Sequence, residues 1–135
     1  MHYKLEDIPL LSYYPDGAGL MRSVKAGEMQ IGDVWAHIPI DYTDAYAAFE
    51  DGVCPYTHYG YVISGRIRVR YLDGDEEVIE AGSAYHLTPG HILSYDEPSH
   101  HVEFNYDAEI IEQTRRLMPE GTLDEEQSPA GPESD

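Results

Sequence analysis

Residues 56–107 read YTHYGYVISG-RIRVRYLDG-DEEVIEAG-SAYHLTPG-HILSYDEP-SHHVEFNYD. Short runs of β-formers are cut by turn signals roughly every 8–12 residues, the rhythm of an all-β sandwich or barrel. The clearest run is RIRVRY. Ile67, Val69 and Tyr71 share one parity, and Arg66, Arg68 and Arg70 share the other. That alternation predicts a strand with one buried and one wet face, its arginines paired with neighbouring acids. Leu72-Asp73-Gly74-Asp75 then turns the chain into Glu76–Glu80 as a hairpin. Working outward, residues 28–40 (EMQIGDVWAHIPI) read as a further strand region. Residues 41–52 (DYTDAYAAFEDG) read as a loop with one helical turn.

One helix is expected, from Ala108 to Met118, capped by Asp107 and lying against the outside of the β structure. Its apolar stripe is Ile110, Ile111, Thr114, Leu117 and Met118. Beyond it the composition changes. Residues 119–135 carry six acids, three prolines and no base, which predicts a disordered acidic tail. At 135 residues the chain suits one domain, expected over residues 1–118.

Acids outnumber bases 26 to 8, a formal net charge of −18, of which −6 lies in the tail. That balance argues against gripping nucleic acid or docking on anionic lipid. There is one cysteine, Cys54, so no internal disulfide is expected. No run of about 18 apolar residues occurs, and MHYKLEDIPL lacks a basic-then-apolar leader. The expected compartment is the cytoplasm.

Two segments resemble the paired motifs of the cupin superfamily, small β-barrels that commonly hold one metal ion. The first is Gly52-Val53-Cys54-Pro55-Tyr56-Thr57-His58-Tyr59-Gly60-Tyr61-Val62-Ile63-Ser64-Gly65-Arg66-Ile67. The second is Gly82-Ser83-Ala84-Tyr85-His86-Leu87-Thr88-Pro89-Gly90-His91. The resemblance covers roughly residues 28–107 and implies a cupin-type jelly-roll β-barrel with a short C-terminal helix. It departs from the family's three-His-plus-Glu ligand set. Aligned on Gly65, the usual Glu falls at His58 and the usual histidines fall at Cys54 and Gly52. Aligned on Gly90, the last histidine falls at Leu93. The Cys-Pro-x-x-His-aromatic-Gly-Tyr run and the later Pro-Gly-His are similar to a bacterial branch of small cupins of unsettled activity. The family also implies a homodimer.

The residues themselves support a metal. Cys54, Tyr56 and His58 share one parity on a strand, so they would line the barrel together. Imidazole and thiolate suit Zn²⁺ and softer ions. His91 follows a Pro-Gly turn, where a bulge can aim it inward. His58 and His91 lead as ligands, followed by Cys54. A third could be His101, Glu103 or His37. His86 is expected to face outward, as is one of His100 and His101.

Two functions fit. One is a metal-dependent enzyme acting on a small organic substrate, with a single divalent ion (Zn or Fe) and Tyr56, Tyr61 or Tyr85 as hydrogen-bond donor or acid. Oxygenase, lyase and isomerase or cyclase chemistry all remain open; no carboxylate falls in an obvious ligand position for an iron oxygenase. The other is a small-ligand-binding or sensor module without turnover, free of metal or gated by it. A third, weaker reading is a metal-free acid–base enzyme using His58 with a tyrosine.

Overall fold

A computed structural model describes residues 1–14 and 17–116. Among the described residues ten strands precede a single α-helix: β1 Leu10–Tyr14, β2 Gly19–Ala26, β3 Met29–Ala36, β4 Ile40–Asp41, β5 His58–Ser64, β6 Arg66–Tyr71, β7 Glu76–Glu80, β8 Ala84–Leu87, β9 His91–Tyr95, β10 Ser99–Tyr106 and α1 Ala108–Arg116. A six-stranded sheet runs β1-β2-β3-β10-β5-β8 and a four-stranded sheet runs β4-β9-β6-β7. Every pairing is antiparallel. The all-β jelly-roll expectation therefore stands, with the short helix at its C-terminal end.

Period-2 alternation decides what faces inward. In the smaller sheet, Ile67 and Val69 are fully buried and meet Ile79 and Leu93 across the strands. On the wet face of β6, Arg66 pairs with Glu97 at 2.9 Å and Arg68 with Asp96 at 2.7 Å. Exposed pairs of this kind stabilise little and mainly keep that face soluble.

In the larger sheet one inward row runs Met21–Val34–His101–Val62 across β2, β3, β10 and β5. The next runs Ser23–Gly32–Glu103–Gly60–Tyr85. Gly60 is a matter of space. A Cβ there would come within 2.3 Å of the Tyr85 ring and 2.2 Å of the Val102 carbonyl oxygen. Its missing side chain lets the Tyr85 ring lie flat on β5. Gly65 is a matter of conformation, turning β5 into β6 at φ 72°.

Several expectations change. β1 and β2 lie ahead of the 28–107 span and extend the larger sheet. β2 is buried on both faces over Gly19–Ser23 and so lacks the alternation that marks a half-wet strand. Residues 41–52 hold two short 3₁₀ segments, Thr43–Ala48 and Glu50–Gly52. β5 begins only at His58, because Pro55 has no N–H to give to a ladder. Cys54 and Tyr56 thus sit in a loop.

The helix differs too. Asp107 Oδ1 accepts from the Ile110 N–H at 3.2 Å, as a cap should. Ala108, Ile111 and Thr114 are buried, while Ile110 is 39% exposed. Two of its side chains reach Glu103 and Ser23 on the inward rows, so α1 closes over the inner face of the larger sheet, not its outside. Leu117, Met118 and the acidic tail lie outside the described residues. No helix among the described residues is long and apolar enough to cross a membrane.

Candidate metal centre

Cys54 and His91 are 37 positions apart and are joined by main chain. The Cys54 N–H donates to the His91 carbonyl at 2.9 Å, and the Gly90 N–H donates to the Cys54 carbonyl at 2.7 Å. Gly90, at φ 96°, makes the turn that starts β9. His58 opens β5 opposite Leu87. Its Nε2 lies 3.3 Å from Cys54 Sγ, and the His58 and His91 ring centroids are 5.0 Å apart. One donor atom each from Cys54, His58 and His91 fall within 4.8 Å of one another. The three residues are 3%, 2% and 0% exposed.

The hydrogen bonds of both imidazoles settle which nitrogen carries the proton. His58 Nδ1–H donates to Asn105 Oδ1 at 2.6 Å. That amide cannot be turned round, because Asn105 Nδ2 already donates to Gln30 Oε1 at 2.7 Å and Glu103 Oε2 at 2.8 Å. His91 Nδ1–H donates to the Thr88 carbonyl at 2.7 Å. Each Nε2 therefore keeps a lone pair on the side facing Cys54. His91 Nε2 is buried with no hydrogen-bond partner among the described residues. Such an orphan is uncommon in a folded interior and calls for an explanation.

A metal ion supplies one. Imidazoles whose far nitrogen is tied to a carbonyl or amide are the usual presentation of a histidine ligand. Tetrahedral bonds of about 2.3 Å to sulfur and about 2.0 Å to nitrogen would put S and N about 3.5 Å apart, close to the separation seen between Cys54 and His58. Burial pushes the Cys54 thiol up and the His58 imidazole down, and it brings His91 down to about 4. Both imidazoles are then neutral near pH 7, as ligands must be. The thiol would give up its proton to an incoming ion. The donor set fits one divalent ion.

Behind His58 stands a charged pair. Glu103 Oε2 is 3.5 Å from His58 Nδ1, and Arg115 Nη2 donates to both Glu103 oxygens at 2.9 and 3.0 Å. Burial alone would raise the Glu103 carboxyl; Arg115, with His58 and His101, holds it well below the usual range. Glu103, weighed as a third ligand, is thus engaged by Arg115 and Asn105.

The other expected site residues scatter. His101 is fully buried but outside the cluster. Tyr85 Oη lies 2.8 Å from its Nδ1 and Tyr95 Oη 2.6 Å from its Nε2, so neither nitrogen is left for a metal. His101 thus stands apart from the Cys54–His58–His91 group. Tyr61 has the parity opposite to buried Val62 and is 46% exposed on the outer face, away from the cluster. Tyr85 is buried but committed to His101. Tyr56 is partly buried against the core, and its carbonyl lies 4.0 Å from Cys54 Sγ. His86 faces outward, stacked on Tyr59.

His100 and His101 are both buried, contrary to expectation. His100 lies on the outer face of the larger sheet, stacked on Trp35 with centroids 3.6 Å apart and hydrogen-bonded to Asp33. Together with Arg22, His37 and the N-terminal Leu5 these residues line a cavity of about 660 Å³. His37 is therefore on the far side of the sheet from the cluster. Neither that cavity's charged floor nor the Asn105–Glu103–Arg115 set behind His58 was visible in the sequence.

No protein-family model matches the chain. No curated protein matches it. Solved structures do. An RmlC-like cupin from Shewanella frigidimarina NCIMB 400 aligns at a TM-score of 0.55 and 15% identity, covering 81% of this chain and 93% of that one. A Salmonella typhimurium LT2 protein ascribed to ethanolamine utilization (protein Q) aligns at 0.50 and 14%, covering 73% and 79%. Fe(II)-HppE with the alternative substrate (S)-1-HPP aligns at 0.55 and 9%, covering 78% of this chain and 60% of that one. Likeness at such low identity speaks for the fold alone, and the fold it establishes here is the cupin-type jelly roll.

Proposed function

We propose that this protein is a metal-binding cupin acting on a small organic molecule, with one divalent ion held by Cys54, His58 and His91. The observation that carries the reading is His91 Nε2, buried without a partner among the described residues and grouped with Cys54 Sγ and the unprotonated nitrogen of His58. The ion is Zn or Fe. Thiolate and imidazole together suit Zn²⁺, and one neighbour of the fold holds Fe(II). When bound, the ion would supply Lewis acidity to a substrate oxygen or to water. Within this reading the chain's own groups hold two imidazoles neutral and correctly turned, and Tyr56, packed against the core that contains Cys54, is the candidate acid.

A reading without turnover is favoured by one specific fact. The three donor residues are almost wholly enclosed, which suits a sensor or a ligand-gated site better than an open catalytic one. The rest of the reading is one domain over residues 1–118 with an acidic extension over 119–135, cytoplasmic and homodimeric. The band of Tyr59, Tyr61, Ile63 and Phe104 exposed on the outer face supports the homodimer.

Elemental analysis of the purified protein beside His58→Ala tests the metal. One tightly held ion per chain, absent from the variant, is the expected result. Protein free of metal that takes up neither Zn²⁺ nor Fe²⁺ on titration overturns it.

A further inference from the structure

We propose that α1 is a clamp on the metal centre, so that docking of this helix and occupancy of the Cys54–His58–His91 site strengthen each other. The proposal rests on the metal-site reading above. Two polar arms leave the helix from Glu112 and Arg115, three residues apart and so on one side of it. Arg115 Nη2 donates to both oxygens of Glu103, and Glu103 Oε2 accepts from Asn105 Nδ2 at 2.8 Å. Glu112 Oε2 accepts from Ser23 Oγ at 2.7 Å, Ser23 Oγ accepts from Gln30 Nε2 at 3.0 Å, and Gln30 Oε1 accepts from the same Asn105 nitrogen at 2.7 Å.

Both arms end on Asn105. They use both of its N–H groups, which leaves Oδ1 to turn towards His58 Nδ1. Gln30, Glu103 and Asn105 are at most 1% exposed, so water does not substitute for the links among these three. With α1 away, Glu103 would lose its cation, and Asn105 would be free to reverse. His58 would then lose the partner that presents its Nε2 to the site. The nine helical residues described are too few to persist alone. Its docked state depends on Ala108, Ile111, Thr114 and the two arms. Linkage makes the effect reciprocal: whatever docking does for metal affinity, metal does for docking.

The test uses the full chain with Zn²⁺ as the probe, reading affinity by chelator competition and amide hydrogen exchange across residues 108–116. Zn²⁺ is expected to slow exchange in α1 at least about fivefold. Arg115→Met is expected to weaken Zn²⁺ binding by about tenfold or more, the scale at which partners of metal ligands act. Glu112→Ala is a milder second variant and should weaken it by about threefold. Arg66→Met breaks an exposed ion pair remote from α1 and should leave affinity unchanged. If Arg115→Met fails to fold, Glu112→Ala and the exchange experiment decide. Exchange in α1 indifferent to Zn²⁺, with unchanged affinity in a folded variant, overturns the clamp and leaves the metal site standing. Wild-type protein that binds no Zn²⁺ overturns both.

Discussion

The N–H of Cys54 donates to the carbonyl of His91 at 2.9 Å, and this one bond fixes two candidate ligands from distant parts of the chain. Because it is a main-chain bond, it survives a change of side chain. Cys54→Ser should therefore keep the fold, shifting Tm by no more than a few degrees, while Zn²⁺ affinity falls on the order of 100-fold for want of a thiolate. Isothermal titration beside a thermal melt separates the two. Equal affinity for Zn²⁺ in both proteins would remove Cys54 from the site.

Buried imidazoles make stability depend on acidity. Burial holds His91 and His101 down to about 4, against an unfolded value near 6.5. Below pH 6.5 the unfolded chain binds more protons than the folded one, so stability falls as pH drops from about 6.5 towards 4. His58, also lowered by burial, acts in the same direction. Glu103, whose carboxyl is held low in the fold, adds to the loss once pH falls into the ordinary carboxylate range. Urea unfolding of the metal-free protein at pH 5.5 should give a stability about 2 kcal/mol lower than at pH 7. A flat profile over that window would contradict neutral burial of the two rings.

Tyr85 and Tyr61 share a sheet but not an environment. Tyr85→Phe leaves His101 Nδ1 without its 2.8 Å partner in a closed interior and should cost about 1–3 kcal/mol. Tyr61→Phe removes a hydroxyl from an exposed ring and should stay within about 0.5 kcal/mol. Equal losses in the two variants would mean that Tyr85 is not held as described.

What could be read from residues alone follows from which signals are local. Ile67, Val69 and the three arginines between and beside them announce a strand, its two faces and its hairpin, because period-2 burial is written into neighbouring positions. β2 carries no such alternation, since its buried face extends to both sides. His58 and His91 stood out through motif position, and Cys54 through its place beside them. The partners that make them credible ligands did not. Asn105 and Arg115 reach His58 across 47 positions and through an intermediate carboxylate, a relationship of tertiary packing. Parity brought Cys54 to the face of His58, although Pro55 delays the strand and leaves Cys54 and Tyr56 in the loop before it. It misjudged His100 because an outer sheet face was assumed wet, whereas Trp35 and the N-terminal segment cover it.

The Gly60 position offers a test of the packing that carries Tyr85. In Gly60→Ala the added methyl would stand 2.3 Å from the Tyr85 ring carbon and 2.2 Å from the Val102 oxygen. One of these contacts is backbone in the neighbouring strand, so relief requires β5 and β10 to part or the ring to leave. The expected loss is about 3 kcal/mol or more. Replacing Tyr85 with a small residue in the same chain should recover part of it, a coupling that a double-mutant cycle reads directly. Strict additivity would place the strain on the Val102 carbonyl alone.

Cys54 reactivity distinguishes a metal ligand from a merely buried thiol. Burial raises its pKa, so without metal little thiolate forms at pH 7 and alkylation should be slow. Denaturant that opens the fold should bring the rate up to that of a free cysteine. Adding Zn²⁺ to the folded protein should slow labelling further, because a coordinated sulfur has its lone pair engaged and the site is tied shut. His91→Ala removes one ligand but keeps the main-chain bond to Cys54, so it should abolish the protection by Zn²⁺ without accelerating the metal-free reaction more than about threefold. Labelling rates followed by intact-mass spectrometry give all five values. Zn²⁺ protection that persists in His91→Ala would show that the ion reaches Cys54 without the second histidine.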